Sequence, residues 1–420
     1  EEQRLAIARD PTHLRARYER GLLYLRQSLD LLARRELELD ELRAEAMLSR
    51  SRDRTARTPT GSDPPEVDLE TPETRSLRTR AEEDLRLVAE RAGELERGRG
   101  LCARGLLAFA STRYAEACEL LARAIEADPS LEEAHEVLGD SCLKLDRSEE
   151  AIARLTTGLE HDAGYVPLLV GRGNAHLDRA QTEEAESDDP TGEYALAIQD
   201  YERAVTLLPA SFFAWRALGQ ASLASGSWKA SSEQDPTEEF RRAEEAFRHG
   251  ASLSQEPTFF LSLCALVNLA WGEWQIENGR DGASRIDEAA RLADEVVRVS
   301  PLSWKGWTLR GGAVLRQMDV VLLDSDELER GAADFREAQK LAPAEAGPWR
   351  LRGELLARRA SMEMDDPAAA QRHAIEAASD LTEALHLDDS IPDVYLWMGA
   401  SLGTLGLLEE LAGKDPTPKY

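Results

Sequence analysis

The fold is decided by two adjacent stretches of equal length, GRGLCARGLLAFASTRYAEACELLARAIEADPSL at 98–131 and EEAHEVLGDSCLKLDRSEEAIARLTTGLEHDAGY at 132–165. Small residues and one leucine stand at the same places in both stretches. The matched pairs are Gly105 and Gly139, Ala117 and Ala151, Leu121 and Leu155, and Ala124 and Gly158. Because small side chains at fixed intervals let two antiparallel helices approach closely, each stretch predicts a helix–turn–helix unit.

The same frame continues toward the C-terminus. Further units begin at Val166, Phe212, Thr258, Trp304, Ala346 and Pro392. Their fourth position is leucine or aromatic: Leu169, Trp215, Leu261, Trp307, Trp349 and Tyr395. Their eighth position is small: Gly173, Gly219, Ala265, Gly311, Gly353 and Gly399. This pattern resembles the tetratricopeptide repeat, a 34-residue helix–turn–helix unit. The resemblance implies an all-α, right-handed α-solenoid that binds other proteins.

Five units at 166–391 are longer than the two standard-length repeats at 98–165. Val166, Phe212, Thr258 and Trp304 follow one another at intervals of 46 residues. We expect the extra residues to extend the first helix and to form an acidic insert before the second. Asp235-Pro236 is typical of a helix start, and Glu238 is expected to complete a capping box.

Both ends of the chain are less regular. Residues 1–97 are predicted to hold irregular first repeats with a mobile loop near 51–75, because proline, serine, threonine and acidic residues dominate there. A long helix to about Leu48 precedes this loop, and another is expected from about Leu77 to Arg97. Residues 392–420 resemble the first helix and insert of a truncated repeat, so we expect the natural protein to continue past both ends.

Charge excludes some classes of partner. The chain has 79 acidic and 51 basic residues, for a formal net charge of −28. Binding to nucleic acid requires concentrated positive charge, so no nucleic-acid partner is expected. No apolar run of the length needed to span a bilayer is evident, and no membrane insertion within this chain is expected. The compartment is not determined by the sequence, with a weak preference for the cytoplasm.

The sequence carries none of the common motifs of catalysis or cofactor binding. The sequence lacks a phosphate-binding glycine loop, a GxSxG elbow and an HExxH motif. Its seven histidines are scattered, and its four cysteines show no CxxC pair. Both types are interpreted as core or surface residues. We therefore expect no enzyme activity, no cofactor and no metal.

A row of arginines precedes the small residue at position eight in five units. Its members are Arg20, Arg104, Arg172, Arg310 and Arg352. Two interpretations stand: pairing with carboxylates of the neighbouring helix, or binding of a ligand by the row.

Resemblance to the family places a concave groove along the first helices. Its positions predict partner-binding residues, apolar in one part and charged in another. They are Phe213, Arg216, Gln220, Phe259, Leu266, Arg350, Glu354 and Arg358. The family's carboxylate clamp, which grips chaperone C-termini, is not expected because Val170 stands where its lysine should be, although Asn174 fits.

The predicted function is a protein–protein interaction scaffold that binds a peptide, helix or protein partner through the groove, the acidic edge or both. A first alternative is the recruiting or sensing arm of a larger signalling protein, such as a bacterial serine/threonine kinase. A second is a structural repeat protein that assembles head to tail.

Overall fold

A computed structural model describes residues 3, 6–7, 13–28, 31, 71–92, 97–186, 188–254, 257–388, 391 and 393–411. These residues form helices and the short connections between them, with no strand among them. The prediction of an all-α fold is therefore confirmed. The chain divides into two compact units. Described residues up to Lys229 and 252–254 belong to the first, and 230–251 and 257–411 to the second.

Nine helices can be delimited in the described part of the first unit. They are α1 (14–28), α2 (Pro72–Arg91), α3 (Arg97–Ala110), α4 (Tyr114–Ala127), α5 (Glu132–Leu143), α6 (Ser148–His161), α7 (Val166–Ala185), α8 (Thr191–Leu207) and α9 (Phe212–Ser231). From α2 to α7, each helix packs against its successor. Odd-numbered helices from α1 to α9 are the first helices of their repeats.

Eight helices lie in the described part of the second unit. They are α10 (Thr237–Leu253), α11 (Pro257–Glu277), α12 (Ala283–Val299), α13 (Trp304–Gln317), α14 (Ser325–Leu341), α15 (Ala346–Met362), α16 (Pro367–Leu387) and α17 (Asp393–Leu411). From α11 to α17, each helix packs against its successor. Here too the odd-numbered helices are the first helices of their repeats.

Extra length in the longer repeats lies in both helices, not in the first helix and insert alone. Second helices α8, α10, α12 and α14 contain 17 residues each and α16 contains 21, whereas α4 and α6 contain 14. Helices α7, α9 and α11 contain 20, 20 and 21 residues, whereas α3 and α5 contain 14 and 12. Helix α13 departs from this pattern with 14 residues. The connection after α13 is not the acidic insert expected, because Val320, Val321 and Leu322 project into solvent there and Leu322 is 92% exposed.

Contact between paired helices explains the small residue at position eight. A Cβ atom added to Gly139 would lie 2.5 Å from Cγ of Leu155, which is closer than real atoms approach. A large apolar side chain covers the equivalent glycine in four further units: Leu121 on Gly105, Tyr201 on Gly173, Phe335 on Gly311 and Leu381 on Gly353. Glycine is required because the second helix leaves no room for a side chain.

Tryptophan at position four is hydrogen-bonded to the turn that precedes its helix. The indole Nε1 of Trp307 donates a hydrogen bond to the carbonyl oxygen of Pro301, 2.8 Å away. Trp215 and Trp349 donate in the same way to the residue six positions earlier, Pro209 and Pro343. The aromatic and proline positions of the pattern are therefore linked by one recurring hydrogen bond.

Helix starts follow the predicted aspartates, with one correction. Asp189, Asp235 and Asp366 accept backbone N–H groups in the first turns of α8, α10 and α16. Glu238, expected to complete a capping box, instead pairs with Arg241, 2.6 Å away. A complete capping box occurs at Asp324 and Glu327, where α14 begins.

Predictions for the N-terminal region are tested only in part. Beyond residue 31, the helix expected to about Leu48 lies outside the described residues, as do most of the loop near 51–75 and the insert motif at 415–420. The helix expected from about Leu77 to Arg97 runs instead over Pro72–Arg91. It begins earlier because Thr71 caps it, with Oγ1 accepting the N–H of Thr74 at 3.0 Å, and Pro72 occupies its first position.

Candidate protein-binding surfaces

The arginines at position seven are ion-paired within the fold. Arg172 donates to both carboxylate oxygens of Asp200 through Nε and Nη2, at 2.7 Å each. Pairing with a buried aspartate recurs at Arg20 and Asp84, Arg310 and Asp334, and Arg352 and Asp380. Arg104 donates to the backbone oxygen of Ala89. The structure thus favours internal pairing over ligand binding by this row.

A groove crosses the first helices of three consecutive repeats in the first unit. It has a volume of about 470 Å³ and is lined by residues of α3, α5 and α7. Its apolar residues are Phe109, Leu143 and Leu177, and its polar residues are Asp140, Lys144, Asn174, Asp178 and Gln181. A concave surface with apolar and polar groups side by side suits an extended peptide.

Asp140 has an unusual environment within this groove. Burial raises the pKa of its carboxyl group to about 7, and the negative charge of Glu136 adds to this effect. The positive charge of Lys144 acts in the opposite direction. Near neutral pH the groove therefore contains a carboxyl group that exchanges its proton readily.

Neighbouring residues fix the polar side chains of α7. The hydroxyl of Tyr201 on α8 donates to Oδ1 of Asn174 at 2.7 Å. Ser148 on α6 donates to Oδ2 of Asp178, also at 2.7 Å. Lys144 is exposed and makes no ion pair with any described residue. The groove thus combines acceptors that are hydrogen-bonded in place with one exposed cation.

Sequence reasoning missed this groove although its signal was present. Asp140, Leu143 and Lys144 occupy positions 9, 12 and 13 of their unit, and Asn174 and Leu177 occupy 9 and 12 of the next. The family resemblance assigns these positions to the concave surface, but the prediction considered Asn174 only for the carboxylate clamp and took its partner-binding residues from later units.

The predicted residues of the first unit lie together on α9. Phe213 and Arg216 are half-buried, and Gln220 is exposed. The ring of Phe213 stacks on that of Phe212, with centroids 3.9 Å apart. The guanidinium of Arg216 lies 5.6 Å from the centroid of the Phe213 ring. Much of the Phe213 surface is therefore already covered by its own helix.

On α11 the two predicted residues differ in exposure. Leu266 is 43% exposed, whereas Phe259 is half-buried and contacts Phe260 edge to face. Of the two, Leu266 presents the larger fraction of its apolar side chain to solvent.

Arg350, Glu354 and Arg358 are brought together on α15. Glu354 is 3% exposed and lies 3.1 Å from Arg358 and 3.8 Å from Arg350. Arg316 of α13 reaches the same carboxylate at 3.3 Å. Three guanidinium groups thus surround one buried carboxylate.

Two further carboxylates balance this cluster. Asp319 pairs with Arg358 at 2.6 Å, and Glu273 of α11 pairs with Arg316 at 3.1 Å. Burial raises the pKa of Glu273, while Arg316 lowers it. With three basic and three acidic groups, these first helices carry a neutral ion-pair network, which spans α11, α13 and α15.

Histidines and carboxylates do not converge on a metal site in the described part of the chain. Nδ1 of His176 lies 2.6 Å from Glu193, and Nδ1 of His373 lies 2.6 Å from Glu363. Each of these pairs joins the two helices of its repeat.

One described helix, α11, satisfies by length and composition the requirements for crossing a membrane. Its mean hydropathy reaches 1.2 over the most apolar window. The sequence reading overlooked this stretch. Phe260, Val267, Trp271 and Trp274 of α11 are buried within the protein, so packing accounts for much of its apolar character.

Residues 102–165 match the profile of the tetratricopeptide repeat family. The chain therefore contains tetratricopeptide repeats. The match covers the two standard-length repeats, and the glycine contacts and tryptophan hydrogen bonds extend the same frame into the longer ones. Proteins built from tetratricopeptide repeats act as protein-interaction scaffolds, and this coarse function follows from the family.

Three solved structures are similar to this chain. One, from Parabacteroides merdae, is 16% identical, with 73% of this chain and 98% of that one covered and a TM-score of 0.47. The C-terminal part of a Cytophaga hutchinsonii repeat protein is 14% identical, covering 70% and 98%, with a TM-score of 0.44. YrrB, described as having an unusual peptide-binding site, is 15% identical, covering 55% and 96%, with a TM-score of 0.36. No curated protein matches the sequence.

Proposed function

We propose that this chain is a scaffold that binds an extended peptide in the groove formed by α3, α5 and α7. The observation that carries the proposal is the groove itself, a volume of about 470 Å³ on the first helices of three consecutive tetratricopeptide repeats. Its length across three repeats suits an extended chain better than a compact ligand.

The lining residues indicate what the peptide contains. Phe109, Leu143 and Leu177 offer contacts for an apolar side chain. Asp178 and the titrating Asp140 provide acceptors for a basic side chain. We therefore expect a peptide that combines an apolar anchor with lysine or arginine nearby.

The proposal is tested with an array of synthetic peptides that vary in charge and apolar content. Binding is measured on the full chain by fluorescence anisotropy. Apolar–basic peptides are expected to bind, and Asp178→Lys is expected to weaken that binding at least tenfold because it reverses a charge in the groove.

Glu160→Lys is the matched control, since Glu160 is exposed on α6 outside the groove lining. It makes the same change in net charge and should leave affinity nearly unchanged. Equal loss in both variants, or selection of acidic peptides by the array, would show that the groove is not the binding site.

The eight residues predicted from the sequence remain proposed contacts. Leu266 is the one most available to a partner, and Gln220 is also exposed. Phe213, Arg216 and Phe259 would contribute only their uncovered surface. For Arg350, Glu354 and Arg358, we propose recognition of polar backbone groups, since the network leaves little net charge for an ionic partner.

A second proposal, head-to-tail self-association, is supported by α17. Tyr395, Leu396 and Leu402 are at least half exposed. No described residue lies within 4 Å of a Cβ added to Gly399, although the equivalent Gly353 is covered by Leu381. Multi-angle light scattering is expected to show concentration-dependent assembly that Leu402→Glu abolishes. A monomer at all concentrations would refute it.

A further inference from the structure

Two cysteines of neighbouring repeats are in contact inside the first unit. Cys118 lies on α4 and Cys142 near the end of α5, and their Sγ atoms are 4.0 Å apart. Cys142 is buried, whereas Cys118 is partly exposed. Their separation of 24 residues along the chain concealed this contact in the sequence.

The other two cysteines have different surroundings. Cys102 is buried and accepts a hydrogen bond from the hydroxyl of Tyr18 at 3.1 Å. Cys264 is buried on α11 in the second unit. Among the described residues, the thiol–thiol contact is made only by Cys118 and Cys142.

We propose that Cys118 and Cys142 form a reversible disulfide, which links one repeat to the next when the chain meets a low-molecular-weight disulfide such as oxidised glutathione. Sulfur atoms in a disulfide are about 2 Å apart, so the two Sγ atoms must approach by roughly 2 Å. Rotation of the cysteine side chains about χ1 provides movement on this scale.

Exchange with oxidised glutathione supplies the chemistry. The Cys118 thiolate attacks one glutathione sulfur, forms a mixed disulfide and releases one glutathione thiolate. The Cys142 thiolate then attacks Sγ of Cys118 and releases the second glutathione. The two cysteines lose two protons and two electrons, and one oxidised glutathione becomes two reduced molecules. Cys118 reacts first because it alone reaches solvent.

Electrostatics set the speed of this reaction. Burial raises the pKa of Cys118 and raises that of Cys142 to about 12. Hydrogen bonding between the thiols lowers the pKa of Cys118 and raises that of Cys142, which favours Cys118 as the attacking group. Because few thiolates exist near neutral pH, the initial rate should rise about tenfold from pH 7 to pH 8.

The disulfide would act beside the groove. Asp140, Leu143 and Lys144, which line it, flank Cys142 on α5. Oxidation would fix α5 to α4 of the preceding repeat and restrain this wall. Formation of the bond itself does not depend on any groove ligand.

The full reduced chain is incubated with oxidised glutathione under native conditions, then alkylated with iodoacetamide and analysed by mass spectrometry. Alkylation is carried out after denaturation, so that both accessible and buried thiols are counted. The reduced chain contains four free cysteines, and oxidation is expected to leave two. Proteolysis should yield one cross-linked peptide pair containing Cys118 and Cys142, and the thermal midpoint should rise by several degrees and return after reduction.

Serine variants separate this pair from the others. Cys142→Ser should stop at a mixed disulfide on Cys118, and Cys118→Ser should form neither species. Cys102→Ser is the matched control and should still form the bond. Four thiols remaining in the wild-type chain, or peptide pairs that join other cysteines or two chains, would overturn the proposal. The wild-type peptide map decides the question even if a serine variant fails to fold.

Discussion

At the scale of single residues, buried ion pairs carry much of the specificity of this fold. Asp200 is 4% exposed, and both of its oxygens accept from Arg172 of the facing helix. A carboxylate in such a place is tolerated because a planar guanidinium matches it in geometry and charge. Removal of one partner leaves a buried charge uncompensated.

We therefore expect Arg172→Ala to reduce the free energy of unfolding by about 3 kcal/mol. Urea denaturation followed by circular dichroism measures this loss. Arg203→Ala, an exposed arginine of α8, is the control and should change stability by less than about 0.5 kcal/mol. The double variant Arg172→Met with Asp200→Leu should recover most of the loss, because it removes both charges. Equal effects of the two alanine variants would contradict the internal role of the pair.

A second residue-scale prediction concerns pH. The pKa of Asp140 is raised to about 7, above its value in an unfolded chain. The folded state therefore holds a proton that the unfolded state has lost between about pH 4 and pH 7, and stability conferred by this site rises as pH falls through that window.

Asp140→Asn removes this titration. The variant is expected to be more stable than the wild type above pH 7, by up to about 4 kcal/mol, because the wild-type carboxylate is then charged in a poorly solvated place. Below pH 4 the difference should disappear. Thermal unfolding from pH 4 to pH 8.5 measures it. A difference that does not vary with pH would show that Asp140 titrates normally.

At the scale of elements, five repeats are closed by a large side chain of the second helix that packs on a glycine of the first. The same contact uses leucine in standard repeats and tyrosine, phenylalanine or leucine in long ones. First helices of 12 to 20 residues thus share one packing device, since added turns extend beyond the crossing point.

Gly139→Leu tests this device. Leu155 stands 2.5 Å from where a Cβ would lie, so the variant should lose about 2 kcal/mol or more through overpacking. Gly399→Ala is the control at the same repeat position, and with no described neighbour it should be neutral or stabilising through its helix propensity. Denaturation midpoints distinguish the two variants. An unchanged midpoint for Gly139→Leu would disprove the alignment of the repeat positions.

At the scale of the whole molecule, the net charge of −28 affects how partners arrive. An acidic protein attracts a basic peptide over distances set by the Debye length, about 10 Å at 0.1 M salt. The groove residues then determine where the peptide stays.

The association rate of a basic peptide should consequently fall at least tenfold between 0.02 M and 0.5 M salt, with a smaller change in the dissociation rate. Stopped-flow fluorescence measures both rates. A neutral peptide with the same apolar anchor serves as control and should show little salt dependence. Similar salt dependence of the two peptides would contradict electrostatic steering.

The sequence by itself determined the helical repeat and its register, because position eight must be small wherever Leu155 or its equivalent crosses it. It also predicted the lengthened first helices and the aspartates that begin second helices, since both depend on neighbours along the chain. These features are local, and periodicity reports local constraints directly.

Tertiary structure alone decided which side chains meet across helices. Arg172 had two possible roles until Asp200 was found opposite it, and Glu354 became the centre of an ion-pair network only through Arg316 of another repeat. The Cys118–Cys142 contact has the same origin. A groove residue is defined by its neighbours on other helices, so its role depends on distances that spacing along the chain does not contain.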